Sequence, residues 1–157
     1  MTGSAIPISD KVIKVKSLGV ILDKYYTFDS QVKAMCKAVH YHARSLRHIR
    51  RSLPDTLAKS VASFIVTRLD HCKSLLVETS DANLQRLPVA QNAVARAVSG
   101  TRQHEHIRPV LCLLHLLPVE HRIKFKVPAT IFSIRQFGEP AYLASLLQDK
   151  VSEKSPR

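Results

Sequence analysis

The sequence lacks the features that place a protein in or across a membrane. No run of eighteen apolar residues occurs, so no transmembrane helix is predicted. The first residues have neither the basic region nor the apolar region of a secretory signal peptide. We therefore predict an intracellular protein, nuclear or cytoplasmic, that is not secreted and has no membrane partner.

Cysteine is scarce, and its three residues do not form a disulfide or zinc pattern. Cys36, Cys72 and Cys112 are far apart, and no Cys-x-x-Cys pair occurs. The spacings Cys36–His40 and Cys112–His115 could place two metal ligands on one helix face. Both pairs lie on apolar helical stripes, where buried free cysteine is common, so we favour packing over metal binding. We predict no metal and no cofactor.

The motifs of several enzyme classes are also absent. The sequence has no Gly-rich phosphate loop, no Gly-x-Ser-x-Gly nucleophile elbow and no His-Glu-x-x-His helix. Its acidic residues are spread singly, without an adjacent pair of aspartates. The sequence thus offers no candidate catalytic centre, and we predict that the protein is not an enzyme.

Positive charge is the main property that the composition does provide. The 157 residues include 24 Lys+Arg against 12 Asp+Glu, for a formal net charge of +12. Such an excess attracts a polyanion such as nucleic acid. The hydrophobic fraction of 45% is that of a folded chain, and the length suits one domain.

One segment separates apolar and basic residues onto two faces of a predicted helix. Apolar residues recur at spacings of three or four from Val32 to Leu53. No acidic residue occurs between Ser30 and Pro54. A solvated helix face normally carries both signs, so we predict that the basic stripe contacts phosphates, with a merely solvated surface as the alternative. This stripe consists of Lys33, Lys37, His40, Arg44, Arg47 and Arg51.

The same spacing predicts further helices, preceded by two short strands. Asp29 or Thr27 is expected to cap the first helix, and Ser52 the second. We predict a mainly α fold: a bundle of about four to six helices with a small N-terminal β-hairpin. The predicted strands are Val12–Lys16 and Leu18–Leu22, and the predicted helices cover about 32–53, 54–77, 80–99, 110–117 and 119–137. We assign residues 1–25 to the hairpin, 26–148 to the helical domain and 149–157 to a polar tail.

Particular residues of the later helices have predicted roles. Asp70 is expected to be a structural carboxylate that pairs with Arg68 or another basic group. Gln91 and Asn92 either fix their helix against a neighbour or touch nucleic acid. Pro88 and Pro128 fall inside predicted helices, where proline removes a hydrogen bond. The predicted core positions are Leu57, Val61, Phe64, Ile65, Leu69, Cys72 and Leu76 in the second helix, and Leu84, Leu87, Ala90, Val94 and Val98 in the third.

The stretch from Leu84 to Ile123 contains residues in the order of a known family. It closely resembles the region that follows the catalytic palm in reverse transcriptases of LINE-type (non-LTR) retrotransposons. The segment RLDHCKSLL at residues 68–76 resembles the same region. The matching positions are Leu84, Arg86, Leu87, Gln91, Asn92, Ala93, Ala95, Arg96, Gly100, Thr101, Arg102, His106, Ile107, Pro109, Val110, Leu111, Leu114, His115, Leu117, Pro118, Val119, Arg122, Ile123 and Lys126.

The resemblance covers about Gly3–Leu147 and implies the edge of the palm together with the thumb. Family members hold two metal ions with palm carboxylates that include adjacent aspartates, which this chain lacks. The resemblance therefore implies a fragment without polymerase chemistry. The chain departs from the family at Pro88, at Pro128 and at Leu116, where the family has tryptophan.

In the parent enzymes the thumb grips the primer–template duplex mostly through phosphates. The resemblance and the charge together predict sequence-independent binding of RNA–DNA hybrid or RNA. Two alternatives stay open: a retroelement relic without a selected partner, and a helical module that binds another protein through exposed apolar surface. The charge pattern suggests, as nucleic-acid-binding residues, Lys33, Lys37, Arg44, Arg47, Arg51, Arg102 and Arg108.

Overall fold

A computed structural model describes residues 14–147, in which helices follow a two-stranded hairpin. This confirms the predicted mainly α fold with a small N-terminal hairpin. The strands are β1 (Lys14–Ser17) and β2 (Val20–Asp23). The helices are α1 (Asp29–Ile49), α2 (Asp55–Asp70), α3 (Asp81–Ser99), α4 (Arg108–Leu113), α5 (Val119–Phe137) and α6 (Ala141–Ala144), with 3₁₀ turns at Arg50–Ser52 and Lys73–Leu76.

The hairpin turns later than predicted. Leu18 and Gly19 form its two-residue turn, with φ angles of 47° and 82°, and Ser17 pairs with Val20. Positive φ at both central residues matches the right-handed twist of the strands. Leu18, predicted to begin the second strand, is instead 94% exposed in the turn. The start of the first predicted strand, at Val12, lies outside the described residues.

The core lies where α1, α2 and α3 meet, with α5 packed against them. α1 buries the predicted stripe from Val32 to Leu46. Ile49 is exposed, contrary to the prediction, because α1 ends there and the chain turns into a 3₁₀ turn.

α2 buries a different face from the one that its large apolar residues predict. Ala58 and Ala62 are buried, whereas Leu57 and Phe64 are exposed, Phe64 by 69%. Small residues let the axes of packed helices approach, so the alanines occupy the contact between α2 and its neighbours. Among the predicted core positions of this helix, Ile65 and Leu69 are buried.

α2 also ends earlier than predicted, at Asp70 rather than near Val77. His71 is extended and Cys72 has a left-handed backbone with φ 54°, which breaks the helix. Leu76 is nevertheless fully buried, because the 3₁₀ turn that follows carries it back to the core. Apolar residues keep their helical spacing through Leu76, so the spacing alone does not reveal the break.

The predicted ends of α3 and α5 are confirmed. Gly100 and Gly138 follow the two helices with φ angles of 72° and 68°. Each glycine N–H donates to the carbonyl four residues before it, as in a helix C-cap. Pro88 and Pro128 lie inside these helices, which continue through both prolines.

α4 and the helix starts require further corrections. α4 covers Arg108–Leu113 rather than 110–117, because the chain leaves the helix before His115, which has a φ of 53°. None of the described helices has a side-chain hydrogen bond at its N-cap. Ser52 lies in a 3₁₀ turn. Of the two predicted caps of α1, Thr27 accepts a long hydrogen bond of 3.5 Å from the Asp29 N–H at the start of the helix and donates to Asp23. The Asp29 carboxylate makes a tertiary bond instead, because it accepts from Asn83.

Candidate nucleic-acid interface

α1 carries the predicted basic stripe from Lys33 to Arg47 on a face that stays in solvent, and Arg51 follows in the 3₁₀ turn after the helix. A spacing of three or four residues keeps its members on one side of the helix. Lys33, Lys37, Arg44, Arg47 and Arg51 are all exposed, and His40 is half-buried. Within residues 14–147, none of the five Lys and Arg side chains has a hydrogen-bond or ion-pair partner. From Lys33 to Arg47 the stripe runs about 21 Å along the helix.

α1 and α3 lie side by side and run in the same direction. Near their starts, Asn83 Nδ2 donates to Asp29 Oδ1 over 2.6 Å. Near their ends, Arg50 Nε donates to the carbonyl of Val98 over 2.6 Å. Both C-termini therefore lie at the same end of the bundle.

A groove of about 1040 Å³ lies at this shared end, and we call it the α1–α3 groove. The end of α1, the second half of α3 and residues 100–103 line it. Among the described residues that line it, no side chain carries a carboxylate. Its charged and titratable residues are His40, Arg47, His48, Arg50, Arg51, Arg96 and Arg102.

Two of these arginines have structural roles. Parallel α1 and α3 bring together two helix C-termini, each equivalent to about half a negative charge. Arg50 offsets this charge: it donates to the carbonyls of Val98 and Leu53 and forms an ion pair with Asp55. Its guanidinium is therefore already engaged within the fold.

Arg96 holds the loop that follows α3. Its Nη2 donates to the carbonyls of Gln103 and Glu105, both over 3.1 Å. Its Nη1 is buried and has no hydrogen-bond partner in the described part of the chain. A buried donor without an acceptor is unfavourable, so this arginine carries a local energetic penalty.

Three predicted binding residues remain free in the groove. Arg47 and Arg51 reach it from the α1 side and Arg102 from the loop, and all three are exposed. The prediction did not include Arg50 and Arg96, because their positions depend on the pairing of α1 with α3. In the sequence, Arg96 is only one of the positions that carry the resemblance.

The other predicted residues lie outside the groove. Lys33, Lys37 and Arg44 continue the stripe along α1 toward its start. Arg108 is exposed as the first residue of α4 and does not line the groove. The predicted residues therefore form three groups. Lys33, Lys37 and Arg44 lie on the open part of the stripe, Arg47, Arg51 and Arg102 line the groove, and Arg108 lies apart from both.

The two amide side chains on α3, Gln91 and Asn92, have different surroundings. Gln91 is buried and bridges two backbone groups before α5: its Nε2 donates to the Leu117 carbonyl, and its Oε1 accepts from the Val119 N–H, both over 2.9 Å. Gln91 therefore fixes α3 against the start of α5, which is one of the two roles predicted for it. Asn92, the next residue, lines the groove.

The remaining polar candidates belong to the scaffold. Asp70 forms ion pairs with Arg122 and with Lys73, at 3.3 Å for the lysine, which confirms a structural carboxylate that uses basic partners other than Arg68. The Cys36 thiol contacts the Arg86 carbonyl at 3.7 Å. Burial raises the pKa of this thiol, and the charge of Arg86 lowers it in part.

The described residues contain neither a metal-binding cluster nor a membrane span. Residues 14–147 contain no group of three or more His, Cys, Asp and Glu side chains placed to hold a metal ion. No helix in the same range has the length and apolarity needed to cross a bilayer.

No known protein-family model, curated protein or solved structure shows significant similarity to this chain. The resemblance to retrotransposon reverse transcriptases therefore stays a prediction from the quoted residues.

Proposed function

We propose that this protein binds the phosphate backbone of nucleic acid, without sequence preference and without catalysing a reaction. The observation that carries the proposal is the row of free cations on α1, joined by Arg102 across the α1–α3 groove. Backbone contacts of this kind position a protein on a polyanion and read no sequence. A protein with this role acts where nucleic acid is present, in the nucleus or the cytoplasm.

The preferred ligand in this proposal is RNA–DNA hybrid or RNA duplex, as for the thumb of a LINE-type reverse transcriptase. Two features support a thumb-like role. The α1 stripe is long enough to follow several phosphates, and the buried faces of α1 and α3 hold it on a rigid bundle. The catalytic carboxylates of a palm are absent from the sequence, so the proposal includes no polymerase activity.

The test is the salt dependence of binding to an RNA–DNA hybrid. Each neutralised phosphate releases a counterion, so three to five contacts give a log–log slope of about −3 to −4.5. Changing Arg44 and Arg47 to glutamine removes two exposed cations, and we expect the slope to flatten by about one to two. Helicity should be unchanged. In parallel, the wild-type protein with template, primer, nucleotides and Mg²⁺ should extend no primer.

The matched control removes the same charge from another helix. Lys124 and Lys126 are exposed on α5, away from the stripe, so Lys124→Gln with Lys126→Gln lowers the net charge equally. Equal weakening by the two double variants would mean that binding follows net charge and that α1 forms no site. Absence of binding at low salt would remove the proposed function and favour the relic.

A protein-binding module is the second candidate, and α5 favours it. Phe125 and Phe132 are each 69% exposed, two turns apart, on the face opposite buried Ile123 and Ile134. Exposed apolar surface of this kind marks protein interaction sites. If Phe125→Ser and Phe132→Ser together abolish a specific protein complex while hybrid binding is unchanged, both functions are present; if no complex exists, this candidate falls.

A further inference from the structure

Two imidazoles lie among the arginines of the α1–α3 groove. His40 and His48 both line the groove from α1, and His40 is half-buried whereas His48 is exposed. They are about two helical turns apart, so roughly 12 Å separates their backbones along the helix. Histidine is the side chain whose charge ordinarily changes between pH 5 and 8. These two residues can therefore change the charge of the groove within the physiological range of pH.

All other charged groups that line the groove are guanidinium groups, and they come from each element around it. Asp55 forms an ion pair with Arg50 but does not line the groove. The Glu105 carboxylate accepts from the backbone N–H of Arg102, and it too lies outside the lining. Within residues 14–147, the groove thus has no carboxylate that could pair with a protonated imidazole. The guanidinium groups are those of Arg47 on α1, Arg50 and Arg51 in the turn after it, Arg96 on α3 and Arg102 in the loop.

A bound polyanion supplies the negative charge that the lining of this groove lacks. The phosphates of nucleic acid stay negatively charged at neutral and mildly acidic pH. Phosphates in the groove attract imidazolium ions and so favour the protonated form of both histidines. The complex then holds more protons than the free protein. Binding must therefore strengthen as the pH falls through the range in which histidine gains its charge.

Resting on the proposed backbone binding, we infer that the α1–α3 groove makes this binding pH-dependent: His40 and His48 take up protons when phosphates enter the groove, and nucleic acid is held more tightly at pH 6 than at pH 8. Arg47, Arg51 and Arg102 supply the charge that is present at both pH values. The open part of the stripe has no histidine, so its own charge stays constant.

The test compares binding of the RNA–DNA hybrid at pH 6 and at pH 8, both at low salt. One pair of unit charges about 4 Å apart in water changes an affinity roughly fivefold. We therefore expect the wild-type protein to bind about five- to twenty-five-fold more tightly at pH 6. The log–log salt slope should also steepen by about one to two at pH 6, since each charged imidazole adds a phosphate contact.

His40→Gln with His48→Gln removes both imidazoles from the groove. Glutamine is uncharged at both pH values and is a better helix former than histidine. The difference in affinity between pH 6 and pH 8 should shrink to within about twofold, with the affinity at pH 8 unchanged. A variant that fails to fold would instead bind weakly at both pH values. His48→Gln alone, at the exposed position, should leave a difference of about two- to fivefold.

The matched control removes two imidazoles from elsewhere on the surface. His115 and His121 are exposed and do not line the groove. His115 has a positive φ, so asparagine, which tolerates this conformation, is the suitable replacement there. His115→Asn with His121→Gln should keep the wild-type difference between pH 6 and pH 8.

Three results would overturn the inference. The wild-type affinity could be the same at both pH values; His40→Gln with His48→Gln could keep the wild-type difference; or this variant and the control could lose it equally, so that binding follows the total histidine charge. If any of these occurs while the Arg44 and Arg47 variant still flattens the salt slope at pH 8, the proposed backbone binding stands and only the role of the histidines fails. If the wild-type protein binds the hybrid at neither pH, the proposed function fails as well.

Discussion

Replacing Pro88 by glutamine is expected to raise the free energy of unfolding by about 2 kcal/mol. Pro88 lies two turns inside α3, with regular helix on both sides. It has no N–H for the carbonyl of Leu84, and its ring crowds that carbonyl, which together cost about 3 kcal/mol in a helix interior. Glutamine restores the hydrogen bond. Loss of the proline ring also frees the unfolded chain, which offsets about 0.4–1 kcal/mol of the gain.

The assay is thermal unfolding of both proteins, followed by circular dichroism. In a chain of 157 residues, 1 kcal/mol shifts the melting temperature by about 2–4 °C, so we expect an increase of roughly 4–8 °C. Pro109→Ala is the control, because Pro109 lies in the first turn of α4, where a missing N–H is harmless. Pro128→Leu, in the interior of α5, should stabilise by a similar amount.

One result would refute this reasoning. Pro109→Ala should give no increase in melting temperature. If Pro88→Gln gives none either, Pro88 does not interrupt a helix that would otherwise be regular. α3 would then consist of two segments that meet at Pro88, which contradicts the continuous helix.

Two further predictions concern buried groups. Gln91→Leu should lower the free energy of unfolding in urea by about 2–4 kcal/mol, because the Leu117 carbonyl and the buried Val119 N–H each lose their hydrogen-bond partner. An unchanged urea midpoint would show that water replaces the amide. Burial raises the pKa of the Cys36 thiol, so less of it is reactive thiolate, whereas Cys112 is exposed. We therefore expect a thiol reagent at pH 8 to label Cys112 faster than Cys36, and equal labelling rates would contradict this expectation.

Apolar periodicity predicted the buried face of a helix where large apolar residues form that face. α1 buries large apolar residues at helical spacing, and its stripe from Val32 to Leu46 was predicted. Gly100 and Gly138 end α3 and α5 because only a residue that tolerates positive φ suits the C-cap. α2 was mispredicted because Ala58 and Ala62 carry its buried face, and alanine gives little signal in an apolar pattern.

The sequence predicts the basic residues along α1 but not the groove between α1 and α3. Helical spacing alone places Lys37, Arg44 and Arg47 on one face. The groove, in contrast, requires that α1 and α3 pack in parallel, which depends on distant contacts such as Arg50 with Val98. No local pattern distinguishes Arg50, which is engaged with backbone carbonyls, from Arg51, the next residue, which remains free.

The parallel arrangement of α1 and α3 bears on why so many arginines lie at one end of the bundle. Two adjacent C-termini need positive charge, and Arg50 supplies it by direct hydrogen bonds. The free cations of the stripe exceed that need, and like charges at helical spacing destabilise a helix by about 0.2–0.5 kcal/mol per pair. Lys33 with Lys37 and Arg44 with Arg47 form two such pairs within α1, an unfavourable sum of about 0.4–1 kcal/mol. A bound polyanion reverses the sign of this term, so the same stripe that slightly weakens the free protein strengthens the proposed complex.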